Sequence, residues 1–175
     1  MARHASEAEI ATLGRFDDAL THARMSAIES ALGQQIEIDG VLIEVLGVRN
    51  PGITANAINN QSLILRVSDT RKSVLFTGDL GVEAGEKART GPYANRLRAD
   101  LVQMAHHGQQ GVDEAFYRHV AARCCLWPTP KWLWDNDSGD GPGSGPWKTL
   151  EVRSWMEELG VKKHYRMFEG LDRID

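Results

Sequence analysis

Residues 72–79 have the sequence Lys-Ser-Val-Leu-Phe-Thr-Gly-Asp, and residues 99–108 have the sequence Ala-Asp-Leu-Val-Gln-Met-Ala-His-His-Gly. Each is a short apolar run, which predicts a buried strand, followed by a polar signature. If the two strands lie parallel in one sheet, Asp79 meets His106 and His107 at the carboxyl edge, where open sheets place their functional groups. A carboxylate and imidazoles suit zinc or a similar divalent ion. The sequence therefore predicts a metal site.

The order of these signatures resembles the second half of the metallo-β-lactamase fold, a superfamily of mostly two-metal hydrolases. In that pattern an Asn and a Ser precede an apolar strand, and here Asn59, Asn60 and Ser62 precede residues 63–65. Thr-Gly-Asp and His-His-Gly follow in the same order, and the similarity extends over residues 34–174. Within the superfamily the sequence looks most like the hydrolase domains of bacterial DNA-uptake competence proteins.

The resemblance implies an α/β fold, namely the C-terminal half of a metallo-β-lactamase-type αββα sandwich with a mixed sheet flanked by helices. It implies that Asp79 bridges two metals and that His106 ligates one of them, which makes both catalytic. His107 is a further candidate ligand or a substrate contact. The implied cofactor is a divalent metal, zinc first with manganese or iron as alternatives. The implied reaction is attack of a metal-activated water on an ester or phosphodiester-like substrate.

The sequence departs from this family in one large respect. The superfamily's first metal motif, His-x-His-x-Asp-His, does not occur in it. A catalytic zinc usually has three protein ligands and a water, so the chain offers too few ligands for a two-metal centre. We therefore expect an incomplete site, inactive in the isolated chain and with its metal weakly held or absent, that an N-terminal half of the same fold would complete. The alternative is a non-catalytic binding or scaffold domain with a degenerate metal site.

Composition and net charge narrow the kinds of binding partner that this chain is expected to have. The 175 residues are 42% hydrophobic and 25% charged, enough for one domain with a sizeable core. A net charge of -4 gives no general attraction to nucleic acid or anionic membranes, so a nucleic acid partner rests on the family resemblance alone. No apolar run approaches the roughly 20 residues of a membrane span. Without a signal-peptide core at the N-terminus, a cytoplasmic location is expected. A small-molecule or phosphodiester substrate is what the family resemblance implies.

The chain divides into four predicted segments. Residues 1–33 form an amphipathic helix, with a capping box at Ser6 and Glu9 and an apolar stripe that continues to Gly33. Residues 34–127 form the sheet with the metal-edge motifs, including a hairpin turn at Asp39 and Gly40. Residues 128–147 form a loop rich in Trp, Gly, Pro and Asp, and residues 148–175 form a closing helix and strand.

Several residues have competing interpretations. Asn59, Asn60 and Ser62 are candidates to support the metal site or its cleft, while turn formation is the alternative for the two Asn residues. Trp132 and Trp134 are candidates to line a substrate cleft, to stack on a base or sugar, or to bury their loop against the missing half.

Three further expectations are simpler. The alternative role for Asp79 is to cap a following helix. His164 is expected to be exposed. Cys124 and Cys125 are neighbours in a predicted strand and point to opposite faces, so we expect two free thiols.

Overall fold

The computed structural model describes residues 7–170, with the backbone alone at residues 8 and 9. Seven strands form one sheet and follow each other across it in chain order. They are β1 (Gln35–Ile38), β2 (Val41–Gly47), β3 (Ile64–Ser68), β4 (Ser73–Phe76), β5 (Leu101–Gln103), β6 (Cys124–Trp127) and β7 (Lys163–Arg166). Neighbours from β1 to β4 are antiparallel, and neighbours from β4 to β7 are parallel. The predicted parallel pairing of the two signature strands, β4 and β5, is therefore confirmed.

The described residues form five α-helices in addition to the sheet. They are α1 (Glu7–His22), α2 (Val82–Thr90), α3 (Glu114–Val120), α4 (Lys131–Trp134) and α5 (Thr149–Glu158). Helices α2, α3 and α5 lie in the connections between parallel strands, as crossovers require. The predicted α/β fold with a mixed sheet is confirmed, and the described residues contain a single sheet. None of their helices combines the length and apolarity needed to cross a membrane.

The hydrophobic core lies between one face of the sheet and helices α2, α3, α4 and α5. Alternate strand residues point into it, and Leu75, Val102, Cys125 and Trp127 are each no more than 1% exposed. The helices contribute a matching apolar set, which includes Phe116, Val120, Val152 and Met156. Cys124 is half-buried while Cys125 is buried, and both thiols are free, as expected from their adjacent positions.

The opposite face of the sheet is also apolar. Its residues lie side by side in two rows across the strands, as the strand register shows. The first row is Ile36, Ile43, Val67, Val74, Leu101 and Cys124, and the second is Val45, Leu65, Phe76, Gln103, Leu126 and Tyr165, of which only Gln103 is a polar amide. None of these residues belongs to the core cluster that the helices bury, although Val45 and Leu101 are each only 3% exposed. Ile36 is 41% exposed and Phe76 is 39% exposed.

One charged residue is buried on the helical side of the sheet. Glu44 in β2 is 2% exposed, and its carboxylate pairs with Arg66 in β3 at 2.9 Å and with Arg96 at 2.7 Å. A buried carboxylate is tolerated only when it is paired in this way. These two ion pairs join β2 and β3 to the segment before β5, so they contribute to the position of β5.

The N-terminal helix differs from its prediction. Helix α1 ends at His22, and residues 23–33 are not helical. Arg24 adopts a left-handed backbone with φ of 54°, and the Met25 amide bonds the Leu20 carbonyl, which closes the helix eleven residues before Gly33. The capping box predicted at Ser6 and Glu9 lies outside the described side chains. The apolar stripe of α1 is exposed, with Phe16 at 55%.

Candidate metal centre

Two of the predicted ligands meet at the carboxyl edge of the parallel strands. The Nε2 atom of His107 lies 3.7 Å from Oδ1 of Asp79. Asp79 follows β4 and His107 follows β5, so the parallel pairing of these strands brings the two residues together. Both side chains remain accessible, at 45% for Asp79 and 48% for His107. A solute can therefore reach them.

Main-chain contacts fix the tautomers of both histidines. Nδ1 of His107 lies 2.8 Å from the Pro128 carbonyl oxygen, and Nδ1 of His106 lies 3.2 Å from that of Gln110. Because a carbonyl oxygen can only accept, each Nδ1 must carry the hydrogen. In the neutral ring, Nε2 then has the free lone pair that a metal ligand needs.

The spacing of Asp79 and His107 fits two ligands of one ion better than a hydrogen bond. A hydrogen bond is excluded at 3.7 Å. Two ligand atoms at 2.0 to 2.2 Å from a tetrahedral zinc lie about 3.4 Å apart. The pair alone is not a complete site: within residues 7–170 no three His, Cys, Asp or Glu side chains are grouped closely enough to hold a metal. The His106 ring centroid is 6.2 Å from that of His107, and His106 makes no ion pair with Asp79.

Gln103, which is not among the predicted site residues, holds the two signatures together. Its Oε1 accepts from the amides of Thr77 and Gly78 at 2.9 Å each, and its Nε2 donates to the Met104 carbonyl oxygen at 2.6 Å. The buried Thr77 hydroxyl donates in return to the Gln103 carbonyl oxygen at 2.8 Å. A sequence signal was present, because a Gln inside an apolar strand must find partners.

The backbone after β5 is left-handed at three successive residues. His106, His107 and Gly108 have φ of 49°, 60° and 77°. Such conformations are uncommon in residues other than glycine, and they concentrate at functional sites. Gly108 is required here, because a Cβ atom on it would lie 2.4 Å from the indole of Trp127. No local sequence pattern indicates this contact between distant residues.

The three candidate residues before β3 differ in how they contact the carboxyl edge of the parallel strands. The Ser62 hydroxyl accepts from the Asp79 amide at 3.1 Å, so Ser62 contacts the site directly. Asn60 is buried, and its side chain accepts from the Ala84 amide in the first turn of α2. Asn60 therefore caps α2, whose N-cap residue is Gly81, and Asp79 does not. Asn59 is half-buried, and a site role for either Asn stays a prediction.

The tryptophans after β6 serve mainly to pack their own segment. Trp134 is 8% exposed and packs edge-on against Trp127, with ring centroids 5.0 Å apart. The guanidinium of Arg153 covers its ring at 4.2 Å. Trp132 is half exposed and contacts Trp147 across the loop. Their roles in a substrate cleft stay predictions.

Two clefts adjoin the edge. An open cleft of about 710 Å³ runs along the ends of β5 to β7, and its lining includes Gln103, Pro128, Lys163 and Arg166. Gln103 and Pro128 also hold the Asp79 turn and the His107 ring, so this cleft borders the pair. A mainly apolar cleft of about 300 Å³ lies against α2, and Ser62 connects it to the edge.

His164 is half-buried, not exposed as predicted. Trp127 donates from Nε1 to its Nδ1 at 3.0 Å, and the two rings are stacked. Burial lowers the pKa of His164 and outweighs the nearby Glu157 carboxylate, which raises it. Arg166 and Arg153 add to the lowering of this pKa. The sequence prediction failed because its alternating charged neighbours do not reveal the tryptophan on the adjacent strand.

Comparisons with known proteins give structural likenesses alone. No family model and no curated protein matches the sequence. The metallo-β-lactamase fold protein YhfI from Bacillus subtilis is similar with a TM-score of 0.49 and 11% sequence identity, over 93% of this chain and 71% of that chain. A likeness at this level does not establish a family.

Proposed function

We propose that this chain is the C-terminal part of a metal-dependent hydrolase of metallo-β-lactamase type, and that it contributes Asp79 and His107 to a metal centre. The observation that carries the proposal is the 3.7 Å separation of these side chains, with the His107 ring held in the tautomer that leaves Nε2 free. The alternative role of Asp79, capping the following helix, does not account for it, because the Asn60 side chain accepts from the first turn of α2 and Gly81 is the N-cap residue.

The donor set is that of a hard or borderline divalent ion, with zinc first and manganese or iron as alternatives. When bound, such an ion lowers the pKa of a water molecule and polarises a scissile group. Residues of this chain hold the site in place: Gln103 fixes the Asp79 turn, and the Pro128 carbonyl fixes the His107 ring. His106 stays a proposed third ligand, which its free Nε2 permits.

An anionic ester or phosphodiester is the proposed substrate class. The cleft beside the pair has a volume within the usual range for small-molecule sites, roughly 300 to 1,000 Å³. Lys163 and Arg166 line it together with a single carboxylate, Glu169, so its lining carries more positive than negative side chains. The likeness of the motifs to DNA-uptake competence hydrolases makes a nucleic acid phosphodiester one member of this class to assay.

The alternative function is a binding or scaffold domain that retains a degenerate metal site. The absence of a three-ligand cluster within residues 7–170 favours it for the isolated chain. The two proposals agree that this chain alone turns over slowly, well below the roughly 1 per second of ordinary enzymes. They differ in whether Asp79 and His107 still bind metal.

Zinc titration by calorimetry tests the proposal. We expect weak, reversible binding to the wild type and none to Asp79→Ala, with unchanged far-UV circular dichroism. Asp135→Ala is the matched control, because Asp135 pairs with Lys131 on α4. Tight binding that survives Asp79→Ala would show that residues other than Asp79 bind the zinc. No binding to the wild type would favour the scaffold alternative.

A further inference from the structure

A cleft lined mainly by cations lies between β7 and α5. Its volume is about 360 Å³, within the usual range for small-molecule sites. Four cationic side chains and one carboxylate line it, although the chain as a whole carries a net charge of -4. We call it the cationic cleft, and its lining includes Arg153 and Glu157 on α5, Lys162, and His164 and Arg166 on β7.

The cationic cleft differs from the cleft beside the metal pair. His164 and Arg166 pair in register with two core residues of β6, so their side chains lie on the helical side of β7. Gln103, which lines the cleft beside the metal pair, lies on the other face. Although β7 borders both clefts, Arg153 and Lys162 line the cationic one alone. A missing half that packs on the other face would therefore leave the cationic cleft accessible.

The two arginines of the cationic cleft are held by an aromatic ring. The guanidinium carbons of Arg153 and Arg166 lie 4.2 Å and 5.2 Å from the ring centroid of Trp134. Arg166 is also paired with Glu169. Arg153 donates to the Trp134 carbonyl oxygen at 3.3 Å, and its other donors have no partner within residues 7–170. A guanidinium held in this way is pre-organised to bind the oxygen atoms of a phosphate group.

His164 supplies a further donor. The indole N–H of Trp127 can only donate, and it donates to Nδ1 of His164, so the hydrogen of the neutral ring is on Nε2. Burial, together with Arg166 and Arg153, lowers the pKa of His164, so the ring is neutral near pH 7. Within residues 7–170 no group accepts from this Nε2. The cleft therefore offers an N–H group to an acceptor that a ligand would bring.

The charge of the cationic cleft matches that of a phosphate group. Once Glu157 in the lining and Glu169 beside Arg166 are counted, two of the four positive charges remain. A phosphate monoester carries roughly -1.5 to -2 charges at pH 7 and has three acceptor oxygens. Those oxygens are enough for a guanidinium and an imidazole to donate at the same time.

We propose that the cationic cleft binds the phosphate group of a small molecule. The guanidinium of Arg153 and the Nε2–H group of His164 donate to its oxygen atoms, and Lys162 adds positive charge. The proposal does not depend on the metal centre, because neither Asp79 nor His107 lines this cleft.

An NMR titration of the isotope-labelled 175-residue chain with inorganic phosphate tests the proposal. EDTA removes metal, and sodium chloride keeps the ionic strength constant. We expect one site with a dissociation constant of about 1 mM. Arg153→Gln should raise this constant about 10-fold, the scale of one hydrogen bond between charged groups. Arg71→Gln is the matched control, because it removes the same charge in the β3–β4 turn, where the side chain is 84% exposed. It should leave the constant unchanged within about 2-fold.

Two further measurements locate the bound phosphate. Because a bound anion favours the imidazolium form, saturating phosphate should raise the pKa of His164, while the ring signals of the exposed His22 should not respond. His107→Asn should leave phosphate binding unchanged, which separates the cationic cleft from the metal centre.

Circular dichroism shows whether Arg153→Gln folds. If it does not, Lys162→Gln gives the same test at an exposed lysine and should raise the dissociation constant about 3-fold. The absence of binding at about 20 mM phosphate, well above the expected constant, overturns the proposal. Binding that the folded variant does not weaken, or that leaves the pKa of His164 unchanged, also overturns it.

Discussion

Asp79 and His107 are 28 positions apart in the chain, yet Oδ1 of one lies 3.7 Å from Nε2 of the other. The two atoms are too far apart to share a hydrogen bond and close enough to bind one ion. Each belongs to a short signature after a strand, and the parallel pairing of β4 with β5 brings the signatures to one edge.

The first prediction distinguishes the two histidines. His107→Asn should weaken zinc binding at least 10-fold, or about 1.4 kcal/mol, because it removes the Nε2 atom that faces Asp79. His106→Asn should have a smaller effect. Asparagine is the appropriate replacement, since it tolerates the left-handed backbone of both residues. Calorimetry with zinc measures both, and a larger loss for His106→Asn would make His106 the principal ligand.

The second prediction concerns Gln103. Gln103→Leu should lower the free energy of unfolding by about 1 to 3 kcal/mol, because the buried Thr77 amide loses its acceptor. It should also weaken zinc binding, because Asp79 follows the turn that Gln103 holds. Urea unfolding and calorimetry measure the two effects. Gln109→Leu, at a half-buried Gln with no side-chain hydrogen bond among the described contacts, should change neither.

The third prediction concerns Gly108. Gly108→Ala should lower the free energy of unfolding by about 2 to 5 kcal/mol, because its Cβ would overlap Trp127 and its φ is 77°. Gly143→Ala is the matched control: its φ is 86°, but a Cβ there meets nothing within 4 Å. Gly143→Ala should lower the free energy of unfolding by only about 1 to 2 kcal/mol. Equal losses in urea unfolding would mean that the overlap with Trp127 is relieved.

The fourth prediction is a pH dependence of stability through His164. Its pKa in the folded chain is lowered below 6.5, so the unfolded chain binds the proton more readily. Its contribution to stability is therefore fully present above pH 6.5 and is lost as the pH falls toward the folded pKa. Protonation of Nδ1 would also break the hydrogen bond from Trp127.

Urea unfolding at pH 8 and pH 5 measures this effect. The wild type should lose more stability between the two values than His164→Gln does. His22→Gln, at an exposed position on α1, should lose as much as the wild type. An equal loss for His164→Gln and the wild type would contradict the prediction.

Local patterns in the sequence determined the strands, the closing helix α5, the hairpin at Asp39 and Gly40, and the meeting of Asp79 with one of the two candidate histidines, His107. These follow from short apolar runs, turn residues and the rule that parallel strands share a carboxyl edge. The predicted length of α1 was wrong. The apolar spacing continues past Arg24, but the left-handed backbone of Arg24 ends the helix.

Only the tertiary structure decided which imidazole faces Asp79, because two adjacent left-handed residues direct their side chains in ways that no sequence spacing specifies. It also showed that Asn60 caps α2, that Gly108 makes room for Trp127, and that His164 is half-buried beneath a neighbouring strand's indole. Each of these depends on a contact between residues distant in the chain. Such contacts are set by packing and register, which local sequence does not encode.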